Sequence, residues 1–316
     1  MLDIYSIGEM VIDFIPGNEK DSYIKKAGGA PANVAIAMQK NHLNAGMCCK
    51  VGDDDFGYFL LKTLKDNQVV PLCKELCTQA VTTMAFVTLA ENGERTFTFA
   101  RKPGADMFLS EEDVEEEAIK DSVIIHAGSC SLSAEPVASA TSKALRLGQE
   151  YGRIVSFDVN YRNLMWNDSQ TACTEKVLEN LPFVDLLKIS EEEVGMFGGE
   201  EAIPDLMKKY KITVVVETLG KNGADVYFGN EVIHADGRKT RAVDATGAGD
   251  AFWGGFLSSL RIQGIETVCQ LTKEKLKKAL DYGNAAGFLC VQQKGAIDSL
   301  PGREKIEQVL KMKEEI

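Results

Sequence analysis

The sequence predicts an α/β protein with a doubly wound, mostly parallel sheet that is flanked by helices and carries a small β-sheet lid. Three observations predict this fold class. Short β-rich apolar segments alternate with amphipathic segments, which is typical of βα units. Two pairs of β-rich segments interrupt that alternation, and no stretch rich in Pro, Gly or Ser divides the chain. Residues 1–316 are therefore expected to form a single domain.

The core elements follow from hydrophobic spacing. Apolar, β-rich runs predict core strands at residues 3–7, 46–51, 122–127, 154–157, 185–189 and 212–217. Between them, apolar side chains recur at helical spacing, as in Phe56, Phe59, Leu60 and Leu64, and in Val137, Ala140, Ala144 and Leu147. Strands separated by helices pair in parallel, so these segments predict one covered sheet.

The interruptions predict two hairpins. Four β-branched or aromatic segments can pair, residues 11–15 with 22–25 and residues 83–89 with 95–101. Pro16-Gly17-Asn18 and Asn92-Gly93 supply residues suited to their turns. Hairpins do not readily join a parallel sheet, so we expect a separate lid sheet formed by about residues 11–27 and 81–107. Such a lid can exclude water from a reaction beneath it.

The charge balance excludes several classes of function. Lys and Arg total 35 against 47 Asp and Glu, a formal net charge of −12. Broad binding to nucleic acid or to an anionic membrane needs a basic surface and is not expected. No apolar run approaches the roughly 18 residues of a membrane-spanning helix, and residues 1–5 lack the basic region of a signal peptide. We expect a cytoplasmic protein.

The eight cysteines predict neither a disulfide framework nor a zinc site. The chain has only three histidines, and Cys73 and Cys77 have no second cysteine pair at zinc-finger spacing. Free cysteine packs as a small apolar residue. Reduced and mostly buried thiols are therefore expected, and the isolated histidines are expected to be core or surface residues.

The most specific signal is a glycine-rich turn that enters a helix. Residues 244–252 have the sequence DATGAGDAF, and apolar residues continue after it at helix-like spacing. Gly247 and Gly249 let the backbone approach an anion, and the first free amides of the helix point at its charge. Asp250 then lies in the first turn, where its carboxylate can accept a hydroxyl proton. A simple capping role for Asp250 is the alternative, but a cap does not need two glycines and two alanines before it.

Two other phosphate-binding motifs are excluded. The third glycine of a dinucleotide fingerprint would fall at Phe252, and the turn does not follow an early strand. Asn222 stands after Gly220-Lys221, where a P-loop requires Ser or Thr. A nucleotide-binding oxidoreductase, which a doubly wound fold would otherwise allow, is therefore disfavoured.

The turn also carries a family resemblance. Residues 244–252 resemble the C-terminal signature of the ribokinase-like, or phosphofructokinase-B-type, family of sugar kinases. Residues 27–35, AGGAPANVA, resemble its first signature, and Gly8-Glu9 followed by Asp13 resembles its first strand. The matches extend over nearly the whole chain. They imply a ribokinase-like fold and transfer of the γ-phosphate of ATP to a sugar hydroxyl. A sugar-binding regulator descended from a kinase is disfavoured, because Asp250 and its turn are intact.

The resemblance also implies roles for individual residues. The sugar would be held by Asp13, Gly28, Gly29 and Asn33. Asn33 offers both a donor and an acceptor, which suits vicinal hydroxyls. Asp250 would act as the base, while the backbone amides of Gly247, Ala248 and Gly249 would stabilise the transferring phosphoryl group.

The nucleotide side is implied by further matches. Residues 218–223, TLGKNG, resemble the family's nucleotide-side loop, and residues 158–162, DVNYR, resemble a segment at the end of a core strand. The implied nucleotide-binding residues are Lys188, Thr218, Gly220, Gly223, Gly247, Gly249 and Asn284. Arg162 is a candidate for contact with the substrate or with phosphate charge, and a surface ion pair is the alternative.

Two metal ions are implied. The family's Mg²⁺ motif has Asn where this chain has Ser190, but Glu193 matches and could orient hydrated Mg²⁺ through water, or else simply start a helix. A candidate K⁺ site would lie near Asp244, Thr246, Cys290, Gln293, Gly295 and Ser299 and would use mainly backbone carbonyls.

The lid sets the expected substrate. Residues 99–107, FARKPGADM, are similar to the lid region of fructokinases, which favours fructose. Ala100 stands where Tyr is usual, and this difference leaves 2-keto-3-deoxygluconate, ribose and ribosides open as alternatives. Arg101 could contact sugar oxygens or the product phosphate, or be only a charge on the lid rim. The expected partners are a small-molecule sugar, ATP and a second copy of the chain, joined through the lid as a homodimer.

Overall fold

The computed structural model describes residues 1–17, 19, 21–89 and 95–314. Its strands are β1 (Leu2–Ile7), β2 (Val11–Pro16), β3 (Tyr23–Gly28), β4 (Ala45–Cys48), β5 (Val70–Pro71), β6 (Met84–Leu89), β7 (Arg95–Ala100), β8 (Ser122–Gly128), β9 (Ile154–Asp158), β10 (Leu186–Ser190), β11 (Val214–Thr218), β12 (Gly223–Phe228) and β13 (Glu231–Asp236). Its helices are α1 (Ala30–Lys40), α2 (Asp55–Asp66), α3 (Glu116–Lys120), α4 (Val137–Glu150), α5 (Gln170–Asn180), α6 (Ile203–Tyr210), α7 (Ala248–Ile262), α8 (Lys273–Cys290) and α9 (Arg303–Glu314).

The central sheet confirms the predicted fold class. Within the described residues it has the strand order β13-β12-β11-β10-β9-β8-β1-β4-β5. The strands from β11 to β5 in that order pair in parallel, and all six predicted core strands are among them. The added edge strands β12 and β13 are antiparallel and were not predicted.

The strands are apolar on both faces because helices cover both. Ile4 and Tyr5, successive residues of β1, belong to opposite hydrophobic clusters, as do Ile124 and Ile125 of β8. This division follows from the two-residue period of a strand. Helices α1, α7 and α8 supply residues to one cluster, and α4, α5 and α6 supply residues to the other. The sheet is therefore doubly wound.

Helix α7 is fixed to the sheet by one large side chain. Trp253 is fully buried, stacks on Phe256 with ring centroids 5.0 Å apart, and donates its Nε1–H to Ser156 Oγ at 3.0 Å. The same hydroxyl contacts His126 Nδ1 at 3.0 Å. Burial, with a contribution from the nearby Lys188 charge, lowers the pKa of His126 to about 3, so it is a neutral core histidine as expected.

The two hairpins form one small sheet, as predicted. Its strand order is β3-β2-β6-β7, with β2 and β6 pairing in parallel between the two antiparallel hairpins. Phe14 on β2 stacks on Phe86 on β6 at 4.9 Å and meets Phe56 of α2 edge-on at 5.6 Å, which joins the lid to the core. The predicted turn residues Asn18 and Asn92-Gly93 lie outside the described residues.

All eight cysteines are free thiols, and six of them are buried, in agreement with the sequence-based expectation. None of the helices in the described part of the chain combines the length and the apolar character needed to span a membrane.

Candidate active site

The site lies at the carboxyl ends of the parallel strands. The chain leaves β1 for β4 on one side and later returns to β8 on its other side. In doubly wound sheets such a reversal opens a crevice outside the strand ends, where ligands bind. Two cavities occupy this edge, one of about 580 Å³ and one of about 660 Å³. Both volumes are within the usual range for small-molecule sites.

The first cavity, which we call the lid cavity, lies between the lid and the core. Its lining includes Glu9, Asp13, Gly29, Asn33, Phe99, Asn160, Tyr161, Arg162, Lys188, Gly247, Gly249 and Asp250. The second, which we call the α8 cavity, includes Thr218, Gly220, Gly223, Arg238, Ala248, Gly249, Phe252, Asn284, Phe288 and Val291. Gly249 and Ala245 line both. The two cavities therefore meet at the glycine-rich turn.

The turn has the predicted shape. Gly247 has a φ of +76°, and a Cβ there would lie 3.0 Å from Cα of Ala296, so both conformation and space require glycine. Helix α7 begins at Ala248, and its N-terminus is directed to the junction of the cavities. The amide of Ala248 donates to the carbonyl of Ala245 at 3.2 Å, so this amide is already engaged.

Asp250 lies in the first turn of α7 and faces the lid cavity. It is 7% exposed, and its Oδ2 accepts a hydrogen bond from Asn33 Nδ2 at 2.7 Å. Asn33 comes from α1, which the first glycine-rich signature opens. The two signatures, more than 200 residues apart in the chain, are therefore joined at the junction of the cavities.

The glycine pair of the first signature makes room for carboxylates and backbone. A Cβ on Gly28 would lie 2.2 Å from Asp13 Oδ2, and one on Gly29, whose φ is +117°, would lie 2.3 Å from the carbonyl oxygen of Glu9. Gly29 and Asp13 line the lid cavity, whereas Gly28 does not. Burial, with a contribution from the charge of Asp250, raises the pKa of Asp13 to about 6.

Lys188 and Asp158 form a buried ion pair beside the turn. Lys188 Nζ donates to both carboxylate oxygens of Asp158 at 2.9 Å. Burial alone would lower the pKa of Lys188, but the Asp158 charge outweighs it and the net shift is upward. A Cβ built on Gly249 would lie 3.6 Å from this ammonium group. The cation is therefore within reach of an anion bound at the turn.

Arg162 and Arg101 occupy different places. Arg162 lines the lid cavity. Arg101 is not part of its lining. Its Nε donates to Asp106 Oδ2 at 2.8 Å, its NH2 lies 2.8 Å from the same oxygen in an ion pair, and its NH1 donates to Ser133 Oγ at 3.1 Å. The Arg101 side chain therefore connects the end of the lid to the core.

Glu193 is fixed by backbone amides. Its Oε2 accepts from the amide of Ser190 at 2.9 Å, and its Oε1 accepts from the amide of Tyr161 at 2.6 Å. The side chain is buried, and it lines neither the lid cavity nor the α8 cavity. Its direct effect is to hold the ends of β9 and β10 together.

Five predicted nucleotide-binding residues line the α8 cavity, namely Thr218, Gly220, Gly223, Gly249 and Asn284, whereas Lys188 and Gly247 line the lid cavity. Asn284 Nδ2 donates to the carbonyl of Ala235 at 2.9 Å, so this amide also anchors β13. Apolar side chains, including Phe252 and Phe288, line the same cavity. This mixture suits a ligand with a flat apolar part.

The candidate K⁺ residues cluster beside the turn. Asp244 accepts from the amide of Gly295 at 3.1 Å and from the hydroxyl of Thr246 at 2.7 Å. Cys290 Sγ lies 3.0 Å from Ser299 Oγ and 3.8 Å from the carbonyl of Thr246. Gln293 is exposed, and its amide donates to the carbonyl of Cys290 at 3.2 Å.

Some residues of the lid cavity were not predicted. Glu9 lies two residues after the end of β1, so its position at a parallel strand end, within the Gly8-Glu9 match, was the available signal. Asn160, which has a φ of +38°, lies within the DVNYR segment but gave no signal of its own. Phe99 on the lid reaches the cavity only through the fold of the second hairpin.

Comparison with known sequences identifies one family. Residues 1–303 match the pfkB family of carbohydrate kinases. The probable fructokinase-5 of Arabidopsis thaliana is 37% identical over 321 aligned positions, covering 98% of each chain. Fructokinase-1 of Oryza sativa subsp. japonica is 37% identical and covers 97% of each chain.

Solved structures of sugar kinases have the same fold as this chain. A fructokinase with bound ATP from Xylella fastidiosa has a TM-score of 0.90 and 27% identity, covering 98% of each chain. A Vibrio cholerae O395 fructokinase bound to fructose, ADP and calcium has a TM-score of 0.85 and 33% identity, covering 96% of this chain and 97% of its own. A double mutant of the latter holds fructose, ADP and potassium. The aminoimidazole riboside kinase of Salmonella enterica has a TM-score of 0.83 and 27% identity, covering 97% of this chain and 99% of its own.

Proposed function

Since this chain belongs to the pfkB family of carbohydrate kinases and is an ATP-dependent sugar phosphotransferase, we propose that its acceptor is fructose, phosphorylated at a primary hydroxyl. One observation carries the proposal for this site. Asp250 lies where two cavities meet, and Gly249 belongs to both. A sugar in the lid cavity and a nucleotide in the α8 cavity would then face each other across the turn. The fructose and ADP of the Vibrio enzyme support this pairing of ligands.

Chemistry at the turn would be direct transfer. Asp250 would accept the proton of the attacking hydroxyl, while Asn33 and Asp13 position the sugar. The amides of Gly247 and Gly249 and the Lys188 ammonium would stabilise the charge on the transferring phosphoryl group, whereas the amide of Ala248, predicted to join them, already donates to the carbonyl of Ala245. Because phosphoryl transfer leaves little covalent chemistry for the protein to perform, positioning and electrostatics supply most of the rate.

The carboxylates of the lid cavity favour a sugar rich in hydroxyl groups. Glu9, Asp13 and Asp250 line it, so it offers acceptors to hydroxyl donors. An acid sugar such as 2-keto-3-deoxygluconate would add another negative charge. Arg101 is held by Asp106 and Lys188 by Asp158, so Arg162 is the cation of the lining that would have to meet that carboxylate. A riboside is the second candidate, supported by the likeness to the Salmonella riboside kinase.

A coupled assay of ADP release tests the substrate. Fructose, ribose, 2-keto-3-deoxygluconate and nucleosides are each assayed with Mg-ATP, and kcat/KM is compared. We expect fructose to exceed every other acceptor by about tenfold or more, since a site built for specific hydroxyls rejects analogues that leave its polar groups unpaired. A higher kcat/KM for a nucleoside would replace fructose with a riboside.

Magnesium would be held mainly by the nucleotide phosphates and water. Glu193 does not fit as a direct ligand, because both its oxygens accept backbone amides and it lines neither cavity. Its buried carboxylate fits an indirect role, through water, beside the ends of β9 and β10. When bound, the ion would neutralise charge on the β- and γ-phosphates.

A K⁺ ion would order the loops around the turn. The cluster of Asp244, Thr246, Gly295, Cys290 and Ser299 supports the proposal, as does the potassium ion in the Vibrio double mutant. We expect higher turnover in buffer containing K⁺ than in carefully K⁺-free buffer of equal ionic strength. Equal turnover in the two buffers would contradict the site.

A homodimer through the lid is the proposed assembly. Tyr23 and Ile24 on β3, an edge strand of the lid sheet, are 47% and 46% exposed. An exposed apolar edge strand readily pairs with another copy. Light scattering is expected to give about twice the 34.5 kDa mass of one chain. The chain mass itself, measured at assay concentration, would rule the dimer out.

A further inference from the structure

Two buried polar atoms on residues that line the lid cavity have no hydrogen-bond partner among the described residues. Glu9 Oε2 and Asn33 Oδ1 form no hydrogen bond with any described residue, and both side chains line the cavity. The other polar atom of the Asn33 side chain, Nδ2, already has a partner, because it donates to Asp250. Leaving a buried polar atom unpaired is costly. Both atoms are therefore expected to find a partner when the cavity is filled.

Glu9 is held in place for such a partner. It follows β1 and is 5% exposed, and its Oε1 accepts the amide of Ala30, near the start of α1, at 3.3 Å. The neighbouring Gly29 leaves no space for a side chain, since a Cβ there would lie 2.3 Å from the Glu9 carbonyl oxygen. One carboxylate oxygen is thus anchored, and the other has no hydrogen-bond partner among the described residues.

We propose that Glu9 is a substrate-binding residue whose Oε2 accepts a hydrogen bond from one hydroxyl of the sugar. The proposal rests on the proposed function and adds a specificity residue to the same site. Hydroxyl groups are the donors that a sugar brings to an acceptor-rich cavity. A hydrogen bond to a carboxylate is stronger than one between neutral groups, so Glu9 would discriminate between sugars that do and do not present this hydroxyl.

Glu9 also gives the reaction a distinctive pH dependence. Burial raises its pKa to about 7, with Asp106 raising and Arg101 and the Ala30 amide lowering it to smaller extents. The thiol of Cys130, which also interacts electrostatically with Glu9, has a pKa raised well above its usual value by burial and stays neutral. The ionised carboxylate accepts more strongly, so kcat/KM for the sugar should fall as the pH drops through about 7.

The test compares wild type with Glu9→Gln and Glu9→Ala at saturating ATP. Both variants should raise the KM for fructose about tenfold to a hundredfold, with a smaller change in kcat and an unchanged KM for ATP. In Glu9→Gln the limb of the pH profile near pH 7 should disappear, whereas a limb near pH 6 from Asp13 should remain. Glu217→Gln is the matched control, because Glu217 is equally buried with one unpartnered oxygen but lines neither cavity.

Singly deoxygenated fructose analogues identify the contact. For the analogue that lacks the contacting hydroxyl, the wild type should bind more weakly than it binds fructose, whereas Glu9→Gln should bind the analogue and fructose equally well. The effects of the substitution and of the missing hydroxyl would then be non-additive, which a purely structural role of Glu9 would not produce. Equal losses in wild type and Glu9→Gln for every analogue, or a fructose KM within twofold of wild type, would overturn the proposal.

The wild-type pH profile with the same analogues needs no variant. The limb near pH 7 should vanish for the one analogue that lacks the contacting hydroxyl, and its persistence with every analogue would also overturn the proposal. A wild type that is inactive with fructose would instead refute the proposed function.

Discussion

Asp250→Asn is expected to lower kcat by about 10²–10⁴-fold while the KM values for sugar and ATP change little. Asn has nearly the same shape as Asp but does not accept a proton at neutral pH. Its amide oxygen can still receive the hydrogen bond from Asn33, which Asp250 accepts at 2.7 Å. The variant therefore removes the base and keeps the junction of the cavities. Steady-state kinetics with saturating fructose and ATP measure the effect.

Asp205→Asn provides the matched control. Asp205 also lies in the first turn of a helix, α6, but it is exposed and lines neither of the two cavities. The same chemical change there should leave kcat unaltered. Near-normal turnover in Asp250→Asn, with fructose confirmed as the acceptor, would show that another group takes the proton.

The predicted fold came from patterns that are local along the chain. The buried parallel strands are short apolar runs, and the amphipathic segments between them carry helical spacing, so their order indicated the doubly wound sheet. Strands β12 and β13 were not predicted, because β13 alternates buried and exposed residues and presents only a weak apolar run. Gly229-Asn230, at the turn between them, was the available hairpin signal.

The residues of the site were likewise predictable only where the signal is local along the chain. Asp250 and its glycines are neighbours in one motif, so their spacing along the chain is enough to indicate an anion site. The partner of Lys188 is Asp158, thirty residues away, and the two meet because β9 and β10 are adjacent in register. Arg101 looked like a free cation on the lid, but its engagement by Asp106 depends on how residues 101–106 fold back. Tertiary pairing of this kind leaves no periodic signal in one sequence.

Lys188→Met is expected to have two separable effects. Removing the ammonium leaves the carboxylate of Asp158 buried without its cation, and breaking such a pair costs about 3–5 kcal/mol in the free energy of unfolding. It also removes a positive charge from beside the turn, because a Cβ on Gly249 would lie 3.6 Å from Lys188 Nζ. Loss of one preorganised group facing the transferring phosphoryl should lower kcat by about 10²–10³-fold.

The double variant Lys188→Met with Asp158→Asn separates the two effects. It has no unpaired buried charge, so denaturant unfolding should show that most of the lost stability returns. Turnover should stay low, since the cation is still missing.

Lys50→Met is the matched control. Lys50 pairs with Asp113 at 2.8 Å, is nearly as buried as Lys188 and lines neither cavity. This variant should therefore lose stability without losing kcat. Recovery of kcat in the double variant would mean that Lys188 acts only by neutralising Asp158, and the phosphoryl charge would then be stabilised by the turn amides without it.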